Sequence, residues 1–288
     1  MSIQTLGKQS LIYGFGHILT RLVTFFLLPL YTHIFTVEEY GVVSLAYAFM
    51  GFSLILYRYG MDTALMKYAV QKEGQERGEY ISTIYGLQVI SSVIFSCILF
   101  FSRNIIAKTV LGVDKPEWIA VLSGVLLLDA LWGLPVLLLR TEEKPVSFIA
   151  FNLTNVLSTM GFNIFFVVIL KMGITGVLFA NLAASSTVFI LSLPIIIKRV
   201  SFSTIQPLTL KIVFKFAIPF LPAGIFTMIM ELANRYLLYW MVGTQEVGLY
   251  SAGYKLGMFG LIVVMGFNMG WTPYFLKRGK KDGAREDF

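Results

Sequence analysis

Ionisable side chains set inside long apolar stretches are the residues of this sequence with chemistry to offer: Arg21, Arg58, Asp62, Asp129, Glu231, Arg235 and Lys255. A charge near the middle of a bilayer costs about 2.5–3.5 kcal/mol or more, so each needs a partner, water or a ligand. Spacing sorts them. Arg58 and Asp62 are four apart, as are Glu231 and Arg235, so each pair shares a helix face and can partly neutralise itself. These pairs read either as internal ion pairs that fix packing, or as places where Asp62 and Glu231 take a coupling proton or sodium ion. Lys255 has no local partner and either snorkels to the nearer interface or faces a cavity. Arg21 lies about eleven residues into its apolar run, too deep to snorkel, and is expected to face a watery cavity or bind an anion. Asp129 stands alone, as a helix-packing hydrogen bonder or as a proton or cation site. His17 shares the face of Arg21 and reads as packed inside the bundle.

The positive residues outnumber the acidic ones, an excess suited to a phosphate or pyrophosphate, whose oxygens the planar guanidinium fork meets in pairs. Cys97 is the single cysteine and His17 and His33 the only histidines, so neither a disulfide nor a metal site is expected.

The elements that position these residues are membrane spans. Of 288 residues, 57% are hydrophobic and 14% charged, with mean hydropathy +0.76, whereas a soluble chain is about a quarter charged. The net charge of +7 does not indicate nucleic acid, because the basic residues sit in short loops between apolar runs. Runs long enough to cross a bilayer fall at 10–35, 41–69, 80–102, 117–140, 147–171, 174–198, 212–242 and 246–276. The fold class is therefore an all-α polytopic membrane protein with eight transmembrane helices. The first run is longer than a signal-peptide core and reads as an uncleaved span. Lysine and arginine concentrate in alternate loops, among them Lys67, Lys72, Arg77, Arg140, Lys144, Lys198, Arg199, Lys211 and Lys215. The positive-inside rule puts these loops and the N-terminus in the cytoplasm, with Glu38, Glu39 and Glu246 outside. Pro29, Pro135, Pro194, Pro219, Pro222 and Pro273 all fall within spans, as kinks for packing or as bends that let a cavity open. Gly173, Gly176, Ala180, Ala183, Ala184 and Ser185 form a small-residue stripe for close helix packing.

A second copy of the hairpin at 11–68 appears 207 positions on. Glu39, Gly41, Ser44, Tyr47, Phe52, Leu54 and Ile55 meet Glu246, Gly248, Ser251, Tyr254, Phe259, Leu261 and Ile262. The offset covers six spans, so both copies start from the same side. This predicts a parallel repeat of two lobes related by an axis along the membrane normal, with a site between them. Residues 1–200 form the first lobe, and 201–288 begin a second that stops after two spans, as the N-terminal part of a longer protein would. The buried charges do not follow the repeat: Arg21 aligns with Met228, Arg58 with Met265 and Lys255 with Ala48.

Several stretches resemble a known family. They are Gly7–Gly16, Arg21, Leu28–Thr32, Glu39–Gly41, Tyr59–Asp62 and Trp271–Phe275, which resemble the Wzx-type polysaccharide flippases of the multidrug/oligosaccharidyl-lipid/polysaccharide exporter superfamily. The resemblance implies two six-helix lobes and a carrier, not an enzyme, in the cytoplasmic membrane. Its cargo would be a polyprenyl-pyrophosphate-linked glycan, moved to the outer leaflet by alternating access, with other polysaccharide-assembly membrane proteins as partners. It also implies that Arg21, Arg58, Arg235 and Lys255 serve as the basic residues of a central cavity. A multidrug exporter of the same superfamily is the first rival, though a site for cationic drugs should be acidic and aromatic. A polyprenyl-dependent glycosyltransferase or polymerase is the second, with Glu38–Glu39 as its only adjacent acidic pair on the outer side.

Overall fold

The computed structural model describes residues 25–257 together with Leu19 and Gly260, and every regular element among them is helical. In chain order these are α1 (Leu27–Ile34), α2 (Val37–Arg58), α3 (Met61–Gln71), α4 (Gly74–Phe101) and α5 (Arg103–Val110). Then follow α6 (Pro116–Thr141), α7 (Pro145–Asn163) running on as a π-helix (Ile164–Ile169), and α8 (Gly173–Arg199). After a 3-10 turn (Phe202–Thr204) come α9 (Pro207–Ala217), α10 (Phe220–Val242) and α11 (244–257). Among the described residues, six stretches are long and apolar enough to cross a membrane: Val37–Arg58, Gly74–Phe101, Pro116–Thr141, Pro145–Ile169, Gly173–Arg199 and Pro207–Val242. They correspond to the second through seventh expected spans. Most of the first and eighth, with Arg21, His17 and Pro273, lies outside the described residues.

Local chemistry explains the helix starts. Thr36 and Glu39 form a reciprocal capping box at α2, with Thr36 N–H donating to Glu39 Oε2 at 2.9 Å and Glu39 N–H to Thr36 Oγ1 at 3.2 Å. The acidic turn of the repeated hairpin is thus a helix cap. Proline occupies the first turn of α6, α7 and α9, where the ring fits and no intrahelical N–H is lost.

The bundle wears its apolar side chains outward, as a lipid solvent demands. On α4, Ile90, Ile94, Ile98 and Phe101 are exposed, whereas Gln88 and Ser92 are fully buried. Gln88 donates through Nε2 to the Tyr57 carbonyl and to Ser92 Oγ, both at 2.8 Å. Between helices in lipid, hydrogen bonds and close contact replace the hydrophobic driving force. The small-residue stripe on α8 serves that purpose: Gly176, Ala180, Ala184 and Ser185 are buried, and a Cβ on Gly176 would stand 3.0 Å from the Phe166 carbonyl.

Two expected spans are not single helices. The run 41–69 divides at Tyr59 (φ 29°) and Gly60 (φ 87°) into α2 and α3. The run 212–242 divides at Ile218–Pro219 into α9 and α10. The two breaks touch, since a Cβ on Gly60 would fall on the Ala217 carbonyl. Hydropathy could not show either break, because both sides of each remain apolar. Pro219 therefore caps a helix rather than kinking one, and Pro222 sits in the first turn of α10; Pro135 and Pro194 do lie inside helices. Helix α9 lies against α3 and α4: the Thr209 hydroxyl donates to Glu79, and Lys67 Nζ sits 3.9 Å from the centre of the Phe216 ring.

Candidate functional site

The repeat has a direct structural counterpart. Gly41 of α2 and Gly248 of α11 cross so closely that a Cβ on Gly41 would strike the Thr244 carbonyl and one on Gly248 the Val37 carbonyl. Shifting by 207 exchanges the two contacts, so they are related as a two-fold axis relates them. Both lie near the N-terminal ends of their helices, which makes the two copies parallel. Glycine is required at both positions because backbone meets backbone there. Alongside, Thr244 Oγ1 lies 3.4 Å from Glu38 Oε1, and the Tyr239 ring packs against Gly112.

One turn further along each helix, the repeat-related Ser44 and Ser251 face a cavity of about 310 Å³. Its walls are Tyr31 of α1, Tyr40 and Tyr47 of α2, Asn155 and Thr159 of α7, Asn181 of α8, Arg235 of α10 and Lys255 of α11. No carboxylate lines it among the described residues. Lys255 Nζ stands 5.8 Å from the Tyr31 ring centre and 5.7 Å from that of Tyr40, within reach of cation–π attraction. Of the two readings of Lys255, the cavity is the one the geometry favours. Arg235 donates from Nη1 to the backbone carbonyl of Glu231 at 3.2 Å, and its guanidinium stands 5.0 Å from the Tyr254 ring. The expected Glu231–Arg235 side-chain pair is replaced by this carbonyl contact, and Glu231 is exposed. Among the described residues the Ser251 hydroxyl has no hydrogen-bond partner, and the Tyr40 hydroxyl, on the side of Ser44, closes no bond of normal geometry.

A buried polar network backs this cavity. The Tyr31 hydroxyl donates to Asn163 Oδ1 at 2.7 Å and lies 3.3 Å from the Tyr47 hydroxyl, which accepts from Asn181 Nδ2 at 3.0 Å. Asn163 immediately precedes the π-helix, a distortion that recurs at functional sites. None of these side chains stands out by charge. One signal is legible in the sequence: Asn152, Asn155, Thr159 and Asn163 recur at helical spacing in an otherwise apolar run.

Arg58 and Asp62 line a different cavity, of about 400 Å³, with Trp132 and Arg140 of α6 and Asn152 of α7. The expected ion pair is present, Nη1 to Oδ2 at 3.1 Å. It does not run along one helix face, because Arg58 ends α2 and Asp62 opens α3; the sharp turn at Tyr59–Gly60 brings them together. The guanidinium lies on Gly133, where a Cβ would stand 3.1 Å from Arg58 Cζ, and its Nη2 is 3.5 Å from the Asp129 carbonyl. Asp129 itself is a helix-packing acceptor, taking hydrogen bonds from Ser185 Oγ at 2.6 Å and Trp132 Nε1 at 2.9 Å. Arg235 and Lys255 thus share one chamber, Arg58 and Asp62 share another, and Arg21 lies outside the described residues.

Residues 6–278 match the family described as polysaccharide biosynthesis protein. No curated protein sequence matches the chain. Among solved structures, the MATE multidrug transporter DinF-BH has a TM-score of 0.70 at 17% identity, over 95% of this chain and 65% of its own. A transporter of the MOP superfamily from Pyrococcus furiosus, described as having a binding pocket of reverse polarity that suggests a different function, has a TM-score of 0.68 at 15% identity, over 93% of this chain and 62% of its own. An inward-facing multidrug resistance MATE family transporter of the same superfamily has a TM-score of 0.66 at 16% identity, over 93% of this chain and 60% of its own. The chain therefore spans less than two thirds of the length of these structures and shares their fold. With nearly its whole length matched, the chain belongs to the polysaccharide biosynthesis protein family.

Proposed function

We propose that this chain works in a flippase that carries a polyprenyl-pyrophosphate-linked oligosaccharide from the cytoplasmic to the outer leaflet of the cytoplasmic membrane. The observation that carries the reading is the chamber between the repeat-related helices. Arg235 and Lys255 line it, and no carboxylate does so among the described residues. Two cations facing one chamber, with no acidic partner among the described residues that line it, repel each other unless an anion joins them, and a pyrophosphate satisfies both.

The loop bias places Lys72, Arg77 and Arg140 in the cytoplasm, and with them the Arg58 end of the bundle. The Gly41–Gly248 crossing then closes the outer end. In this arrangement the head group enters past Arg58 and settles against Arg235 and Lys255, with Arg21 as a further phosphate contact, while the prenyl tail stays in lipid. Rocking of the two copies about their crossing would expose the head group outside. The role is that of a carrier: the chemistry of the cargo does not change.

The fold alone is equally that of a drug exporter. Against that reading stand the cations themselves, which repel the lipophilic cations such exporters take. Reversed pocket polarity is also how the Pyrococcus furiosus relative is described.

Replacing Arg235 with Gln and Lys255 with Met together should lower surface polysaccharide on the order of tenfold or more while the protein remains inserted. Undiminished export by that double variant would sink the anion-carrier reading, and a drug-sensitive deletion strain with normal polysaccharide would favour the exporter.

A further inference from the structure

The second chamber, formed by Arg58, Asp62, Trp132 and Asn152, differs in chemistry from the first, and the difference identifies its ligand. A pyrophosphate is disfavoured there because the Asp62 carboxylate repels it and already occupies Arg58 at 3.1 Å, which leaves Arg140 as the one further cation among the described lining residues. A lipophilic cation is disfavoured by Arg58 and Arg140. What remains is an uncharged group rich in hydrogen-bonding capacity. Arg58 is a pure donor, ionised Asp62 a pure acceptor, and the Asn152 amide is both. Vicinal hydroxyls, each donor and acceptor, match that set. Trp132 adds an apolar ring whose N–H is already committed to Asp129 at 2.9 Å, so it offers a fixed face for C–H contact.

The pair is set in place but not saturated. Gly133 leaves room for the guanidinium to lie against α6, and the α2–α3 turn fixes Asp62 beside it. Arg58 Nε and Asp62 Oδ1 are both buried without a partner among the described residues. At about 400 Å³ the chamber is within the size range of small-ligand sites. Helix α7 contributes to both chambers from successive turns, Asn152 to this one and Asn155 to the other.

We propose that the Arg58–Asp62–Trp132–Asn152 chamber is a carbohydrate subsite, holding a sugar ring of the lipid-linked glycan while the Arg235–Lys255 chamber holds its pyrophosphate. This rests on the flippase reading. The two charged residues expected to serve phosphate and a coupling ion are then glycan contacts, and the lipid head group spans both chambers along the polar face of α7.

The test compares two probes on the full chain in lipid nanodiscs: polyprenyl pyrophosphate without sugar, and the same lipid carrying an oligosaccharide. In Asp62→Asn and Trp132→Ala, affinity for the sugar-bearing lipid should fall about ten- to a hundredfold, with sugar-free lipid changed by no more than about twofold. Trp132→Phe should recover part of the loss, since it restores an aromatic face. Arg235→Gln should weaken both probes. If Asp62→Asn and Trp132→Ala weaken both lipids alike, or neither, the subsite is overturned. If the unaltered protein fails to bind sugar-free polyprenyl pyrophosphate, the flippase reading falls first and takes the subsite with it.

Discussion

Lys255 and Asn163 show how far single residues can be read. Lys255 is conspicuous as an unpaired charge in an apolar run, yet only its position between Tyr31 and Tyr40 decides between lipid interface and cavity. Asn163 is inconspicuous in the sequence, and it is fully buried with its side-chain oxygen receiving the Tyr31 hydroxyl. Replacing one partner of such a buried bond strands the other in an apolar setting, at a cost of about 1–3 kcal/mol. Asn163→Leu should therefore lower the thermal midpoint of the detergent-solubilised protein measurably, and Tyr31→Phe by less, because Asn163 also donates to the Thr159 carbonyl at 2.8 Å. Equal midpoints for all three proteins would show that the bond contributes nothing. The spacing of Arg58 and Asp62 predicts their pairing, but for an incomplete reason: the helix that spacing assumes they share ends between them.

At the scale of elements, the Gly41–Gly248 crossing gives the repeat its mechanical meaning. The matched glycines have no evident role in the alignment of the two hairpins; in the fold each lies against the other helix's backbone. Overpacking a tight contact costs about 1–3 kcal/mol, enough to shift a two-state population roughly five- to 150-fold. Gly41→Leu should therefore favour the state in which this end is open. With Cys97→Ser as background, a cysteine at Ser251 should react faster with a membrane-impermeant maleimide applied from outside in Gly41→Leu than in its parent. Unchanged labelling would mean the crossing is not a closure, and faster labelling only from the cytoplasmic face would invert the orientation assigned from the basic loops. The breaks at Tyr59–Gly60 and Ile218–Pro219 belong to this scale too. Each passes unnoticed in hydropathy, and each is set by its contact with the other.

Across the whole described bundle, the basic loops do more than report topology. Glu142, just past α6, accepts from Arg199 Nε and Nη2, both at 2.6 Å, and pairs with Lys144 Nζ at 2.8 Å and Arg77 Nη2 at 3.7 Å. One carboxylate thus ties together the loop after α6, the start of α4 and the end of α8. The Arg199 hydrogen bonds, opposed by burial and aided by Lys144, hold the Glu142 carboxyl down at about 2 against an ordinary 4.5. Because the folded value lies below the unfolded one, the stabilisation is complete above about pH 4.5 and is lost as pH falls towards 2. Thermal midpoints should be level from neutral pH to about 5, decline below that, and lose part of the decline in Glu142→Gln. A decline of the same size in that variant would assign the acid sensitivity to other carboxylates.

Composition and periodicity determined that this chain is helical and built for a bilayer, because runs this long and this apolar have no other stable solvent. They also determined that its hairpin recurs and that its apolar runs carry charge. Tertiary structure decided which charges meet. Arg235 and Lys255 come to one chamber from helices that the sequence keeps apart, and Arg58 and Asp62 come to another through a turn that hydropathy cannot register. Hydropathy and spacing are properties of one strand of sequence, whereas a cavity's charge and shape are sums over helices that touch. The uncharged tyrosines and asparagines between those helices acquire their meaning only from that contact.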